Sequence, residues 1–509
     1  MVGDKGANPN YLIISRCSLI SFFFLPRGVN EEPVAFFIDA NIHVIYLMYK
    51  YLTCILHVFP KYFACFILRE PCKKTPAAEK GKIILSRIRK IIDTHFSELT
   101  TSSNRLSDSR KRKVYSMAEI ILGSLFMYIF KETSRNAYNN DWRETCFRKN
   151  FFKYFGFNLP HADSIDDVLR VLPPEELEEL KMQLVGGLIE QKMFRRFRFL
   201  GKFHLVAVDA TGTATFDHKH CDQCLTKTSK TGVVTYFHYV LEAKIVTNTG
   251  LSISLASEFV ENDPDRDYEK QDCEQKAFKR IAQKIKKHFP RLPVCILADG
   301  LYPNNTVFDI CAKNNWQFII TLKDGNLKSF QTEVGLLKVT ARKRNVCKAD
   351  KTTRTTLEYA FLNDIEYSGR YFSWVECNET IINIKGAILS NQRFTYITNV
   401  FQDQRNVIET ADSGRLRWKI ENEGFNSQKN LGYALEHKFS RKSLIAMQNY
   451  YQLLQMAHMI NQLVERTNEI VNILKEHSKQ TIVDLWKKMI AYLTIFQFEE
   501  ITQVPYQPG

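Results

Sequence analysis

Three acidic residues stand where their carboxylates could do chemistry. Asp209 follows the β-branched run Val206-Ala207-Val208, and Asp299 follows Ile296-Leu297-Ala298. Glu421 lies in the helical pattern Arg417-Trp418-Lys419-Ile420-Glu421. In open α/β sheets, functional groups gather at the carboxyl ends of strands. Carboxylates brought together by folding repel one another unless cations neutralise them, and hard oxygen donors suit Mg²⁺ or Mn²⁺. Two such ions roughly 4 Å apart can activate a water or hydroxyl and stabilise the leaving oxygen of a phosphodiester. The plainer alternative makes each Asp a turn former or a helix cap. Glu423 rivals Glu421, but two residues apart on a helix they face directions about 200° apart. The spacing of one turn from Arg417 favours Glu421, and Arg417 itself suits either a phosphate or a salt bridge to Glu421.

A second cluster carries softer donors. His218, His220, Cys221 and Cys224 fall within seven residues. Cys-x-x-Cys is a zinc-knuckle spacing, and a nearby His can complete four ligands. The alternative is a surface loop with two free thiols; a redox role lacks thioredoxin-like surroundings. The basic run Arg110, Lys111, Arg112 and Lys113 precedes a helical pattern and suits DNA phosphates. Trp374 either stacks on a flipped base or packs in a core.

Charge and composition bound the partners. The chain has 509 residues and a net charge of +15, which biases it toward a polyanion. At 45% hydrophobic and 25% charged, it is not disordered, collagen-like or wholly membrane-embedded. Twelve cysteines without a regular framework point to a reducing, cytosolic compartment. Lys50, Pro60 and Lys61 break the apolar N-terminal stretch, so no membrane span is expected.

The elements that must position these residues divide the chain. Residues 1–80 lack clear periodicity and read as an atypical apolar extension, added by an upstream start codon, ending in a linker over 71–82. Residues 81–200 read as helical and basic. From 201 to 324 strands and helices alternate as in an α/β domain: three strands, a helix, the strand before Asp299, a short helix and another strand. Residues 325–405 form a β-rich insertion with strand patterns at TTLEYAFLND, RYFSWVE, TIINIKGAIL and RFTYITNV. The helix carrying Glu421 completes the core over 406–440, and 441–509 is helical.

With these residues in place, the chain resembles the DDE transposases of bacterial insertion sequences. The nearest subgroup carries its last acid in a Y-x2-R-x3-E-x6-K helix. Arg417 and Glu421 match R-x3-E, Trp418 and Ile420 are typical neighbours, and Asp209 and Asp299 match the first two acids. The spacings of 90 residues from Asp209 to Asp299 and 122 to Glu421 also fit. The tyrosine position falls on Gly414 and the lysine position on Gln428, with Lys429 one residue late, about 100° round the helix.

The resemblance implies a ribonuclease-H-like mixed sheet flanked by helices. It implies that Asp209, Asp299 and Glu421 hold two Mg²⁺ or Mn²⁺ ions, with Arg417, Trp418 and Lys429 on DNA. It further implies cleavage and strand transfer at paired ends of double-stranded DNA by a homodimer in the bacterial cytosol or nucleoid. Rival readings are a nuclease of the same fold that cuts without joining, and an inactive, zinc-stabilised DNA-binding protein.

Overall fold

The β-branched runs fold into one ten-stranded sheet within a mixed α/β architecture. The computed structural model describes residues 76–496, apart from 264, 266–269, 438, 477 and 478. The apolar extension therefore lies almost wholly outside the described residues. The strands are β1 (His204–Phe216), β2 (Leu225–Thr228), β3 (Val234–Val246), β4 (Ser252–Val260), β5 (Val294–Ala298) and β6 (Gln317–Thr321). Four more follow: β7 (Arg342–Ala349), β8 (Thr353–Tyr367), β9 (Arg370–Asn383) and β10 (Ile388–Thr398). Their order is β2-β3-β1-β5-β6-β10-β9-β8-β7, with β4 also paired to β3.

Strands β1, β3 and β4 form an antiparallel meander, while β5 runs parallel to β1 and β6 parallel to β5. All five residues of β5 are buried, as a parallel strand covered on both faces requires. The helix Glu274–His288 carries Ala277, Phe278, Ile281 and Ile285 on its buried side and makes the crossover into β5.

Two sequence readings change here. β1 does not stop at Asp209: beyond Ala207 it leaves β5 but stays paired with β3 as far as Phe216. The β-rich segment does not stand apart from the core sheet, because β10 pairs antiparallel with β6. β9 absorbs both RYFSWVE and the first half of TIINIKGAIL. β7 escaped the pattern because five of its eight residues are polar and six are exposed, leaving no apolar alternation to read.

The linker read over 71–82 is also shorter than expected. The first described helix begins at Ala77 and buries Lys80, Gly81, Ile84, Leu85 and Ile88. Gly81 lies against the C-terminal helix Ile482–Ile495, where an added Cβ would sit 2.6 Å from Tyr492 Cβ. Behind the basic run, Ser116 and Glu119 close a reciprocal capping box at the start of Met117–Ile129. The Leu444–Glu465 helix packs on Met117–Ile129, on Pro174–Glu190 and on β4, and so joins helices that precede the sheet in sequence to the sheet itself. Among the described residues no helix is long and apolar enough to cross a membrane.

Candidate active site

The parallel register of β1 and β5 pairs Ala207 with Leu297. Two residues further along each strand direction, just past the last paired position, are Asp209 and Asp299, so both acids follow Ala207 and Leu297 on the same face where the two strands part. That face carries Leu205, Ala207, Cys295 and Leu297 in one apolar layer with Ala411 and Ile420. The layer seats the helix Val407–Arg415 and the π-helical turn Ile420–Asn426 that follows it. Such turns are rare and often lie at functional positions.

The π-helical turn brings Glu421 to Asp209. The Glu421 carboxyl lies close enough to disfavour the charged form of Asp209. Arg417 bridges them, with Nη1 2.7 Å from Glu421 Oε1 and 3.4 Å from Asp209 Oδ2. The Ala210 amide donates to Asp209 Oδ1 at 2.9 Å. Burial pushes the Asp209 carboxyl up to about 7; Glu421 adds to the rise, while the Ala210 amide and Arg417 oppose it. Asp299 behaves oppositely. Burial would raise it, but Lys323 Nζ at 2.7 Å and the Leu301 amide at 2.8 Å hold it below the usual carboxylate range, with Arg417 adding to the effect. Glu423 turns away and pairs with Lys419. The choice between the two glutamates therefore falls to Glu421.

The structure adds residues that the sequence pattern did not single out. Glu274 begins its helix beside Asp299 and receives the Tyr302 hydroxyl at 3.2 Å. Tyr302 is 1% exposed and feels the charges of Glu274, Asp209 and Asp299. An acid in the first turn of a helix is commonplace, so Glu274 carried no signal of its own. A cavity of about 530 Å³, lined by Lys227, Phe237, Tyr239 and Glu274 among others, opens on this side of β3.

Gly414 explains its departure from the tyrosine of the motif. A Cβ there would lie 2.6 Å from Cε1 of Tyr396, whose ring is 3% exposed in the core. Gly414→Ala is expected to cost about 2 kcal/mol, because a packed ring cannot yield half an ångström cheaply. Chemical denaturation would check this, and an unchanged midpoint would show that the ring moves freely.

One expected DNA contact needs correction, and the others lie as follows. Trp374 is 1% exposed, buried under Lys338, whose ammonium lies 5.3 Å from the ring centroid; it is a core residue and cannot stack on a base. Lys429 pairs with Glu436 at 2.8 Å, and Gln428 is fully buried against Gln455 and His458. Arg110 and Lys113 both bind Asp108, while Lys111 and Arg112 are exposed. Trp418 is 52% exposed, with the Arg417 guanidinium 5.0 Å from its ring centroid.

The soft-donor cluster is real in space but differs in one member. His220, Cys221, Cys224 and His238 each offer a donor atom, all within 4.8 Å of one another, and they could hold a metal ion. His218 is outside this group: its Nδ1 faces Asp217 on the surface at 2.6 Å. His238 lies on β3, fourteen residues beyond Cys224, and is carried to it by the pairing of β3 with β2, in which Leu225 stands opposite Phe237. Burial, reinforced by His220, pushes the His238 imidazole down to about 4, which keeps it neutral and able to ligate. Burial and then Cys224 push the Cys221 thiol up to about 12, so without a cation the thiol holds its proton. No protein-family model matches the chain, and no curated protein matches it.

Proposed function

We propose that this chain is a DDE transposase that cleaves DNA at the ends of an insertion sequence and joins the freed ends to target DNA. The observation that carries the proposal is the meeting of Asp209 and Glu421, 212 positions apart in sequence, across a shared Arg417 whose charge also acts on Asp299. A ribonuclease-H-like core is supported by the order β4-β3-β1-β5-β6, antiparallel through its first three strands and parallel after β1.

Mg²⁺ or Mn²⁺ fits the donor set. Two carboxyl groups bound to one guanidinium nitrogen, one of them lifted well above its ordinary range, are a pair that a divalent cation would relieve. Asp209, Asp299 and Glu421 would hold the ions, which when bound supply charge neutralisation and Lewis acidity at phosphoryl oxygens. Arg417, once a cation has taken the carboxylates, would have its guanidinium free to clamp a phosphate. Lys323, exposed and paired with Asp299, can follow the same exchange. In the reaction a water oxygen attacks phosphorus, the bond to the 3′ oxygen breaks and that oxygen takes up the proton the water gives up; the freed 3′ hydroxyl then attacks a target phosphorus, whose bond to its own 3′ oxygen breaks, and the departing oxygen receives the proton. The Cys/His cluster belongs to the same proposal as a Zn²⁺ site beside the first acidic strand, because thiolate and imidazole donors select zinc over hard cations. The partners are double-stranded DNA and a second copy of this chain.

The test is cleavage of a labelled duplex carrying the sequence that flanks the gene, with Mn²⁺ present. Nicks at one defined position and joined products support the proposal; defined nicks without joining would favour a nuclease. A second reading, a DNA-binding protein without catalysis, draws on Lys323 and Arg417, which already neutralise the acids without a metal. Binding to the same duplex with no cleavage in any divalent ion would favour it.

A further inference from the structure

The donors around Cys221 already have the dimensions of a metal tetrahedron. With bonds of about 2.3 Å to sulfur and about 2.05 Å to nitrogen, a tetrahedral zinc site has S···S edges of about 3.7 Å and S···N edges of about 3.6 Å. Cys221 Sγ and Cys224 Sγ lie 3.6 Å apart, and His238 Nε2 lies 3.4 Å from each of them. Four protein ligands would close the site, which is the pattern of a structural rather than a catalytic ion.

The fourth ligand atom follows from hydrogen bonding. His220 Nε2 lies 2.8 Å from the Arg441 carbonyl, which can only accept, so Nε2 carries the proton. Nδ1 then has the free lone pair, and that atom is buried with no partner. The ring is fixed by stacking on Phe216, 4.3 Å between centroids. In His238, Nε2 faces the sulfurs, while the buried Nδ1 makes no hydrogen bond and has the Glu261 carboxylate as a neighbouring acceptor, with Oε1 at 3.9 Å. Carboxylate and carbonyl partners of this kind orient metal-bound histidines. The turn is held as well: the Asn262 amide side chain donates to the Cys224 carbonyl at 2.9 Å.

Both second-layer contacts lead to one place. Arg441 stands three residues before the Leu444–Glu465 helix, and Gln448 within that helix donates to Glu261 Oε1 at 2.8 Å. We infer that His220, Cys221, Cys224 and His238 form a closed zinc clamp that ties the β1–β2 turn and β3 to the start of the Leu444–Glu465 helix. The inference rests on the zinc reading of the cluster and is independent of DNA chemistry.

The test uses the full chain. Purified protein should carry about one zinc per chain. Cys224→Ser and His238→Ala should lose it, and His218→Ala should keep it. Glu261→Gln should weaken zinc affinity about tenfold, read by chelator competition. Replacement of the metal by Co²⁺ should give the intense visible bands of a tetrahedral thiolate site. Zinc extraction should speed amide exchange over residues 439–448. Absence of zinc binding, or its loss in His218→Ala and retention in His238→Ala, would overturn the site. An octahedral Co²⁺ spectrum would overturn its closed geometry, and unchanged exchange over 439–448 would overturn the clamp. Asp209→Asn should leave zinc content intact, so failure of DNA cleavage and failure of the clamp are read separately.

Discussion

Asp209→Asn is expected to abolish divalent-dependent strand cleavage and, at the same time, to make the protein more stable. Loss of one carboxylate from a cluster that binds ions should remove about 4 kcal/mol of transition-state stabilisation, roughly a thousandfold in rate. The gain in stability comes from the same carboxylate. Asp209 is largely buried beside Glu421, and its folded-state affinity for a proton is raised to about 7. A raised carboxyl stabilises the fold only while protonated. That contribution is complete below the unfolded value near 3.8 and is lost as pH rises through 7.

An amide at position 209 has no charge to bury, so the variant should exceed the parent by roughly 2 kcal/mol at pH 8, after allowance for the lost Arg417 contact. The difference should shrink toward zero near pH 4. Saturating Mn²⁺ should raise the melting temperature of the parent and not of the variant. Cleavage by the variant at the parental rate would remove Asp209 from the chemistry. A variant less stable than the parent at pH 8 would mean that the Arg417 bridge outweighs the burial of charge. Glu421→Gln should share the loss of cleavage, while Glu423→Gln, aimed at the residue paired with Lys419, should spare it.

Gln455→Leu is expected to cost about 3–5 kcal/mol and to lower any activity through the acid helix. The reason lies under the π-helical turn. Lys244 is fully buried, 2.5 Å from Gln455 Oε1 and 3.8 Å from Glu242, itself fully buried. Gln455 also exchanges two hydrogen bonds with Gln428. The turn rests on this lysine: its ammonium lies 5.4 Å from the Phe425 ring centroid, and Gly424 leaves just enough room for its stem. A leucine at 455 deprives a buried cation of its closest acceptor and leaves the Gln428 carbonyl oxygen without its donor. Lys244→Met should also destabilise, and the double variant should cost less than the two single changes together by about 1 kcal/mol or more. Strict additivity in denaturant unfolding would show that the two side chains do not act as a pair.

The local elements were legible because their determinants are neighbours in the chain. The apolar runs before Asp209 and Asp299, the amphipathic crossover helix and the stripe of Leu444–Glu465 announce themselves by period. The favoured glutamate was legible too, since two positions on a helix cannot face one way. The long strand through Asp209 was not, because what extends β1 to Phe216 is its pairing with β3. Nor was β7, a strand whose polar residues give no alternation.

Which residues meet was decided by tertiary structure. His238 replaces His218 because strand register, rather than proximity in sequence, carries it to Cys221 and Cys224. Trp374 is lost to the core because β9 lies inside a sheet that continues across β6 and β10. Gly414 stands where the motif has tyrosine because Tyr396, from another strand, already fills that space. By itself the sequence determined the local elements, the types of donor and the spacing of the acids, since period and residue chemistry are properties of short stretches. Only the tertiary structure decided which donors converge, because convergence depends on register and packing between segments hundreds of residues apart.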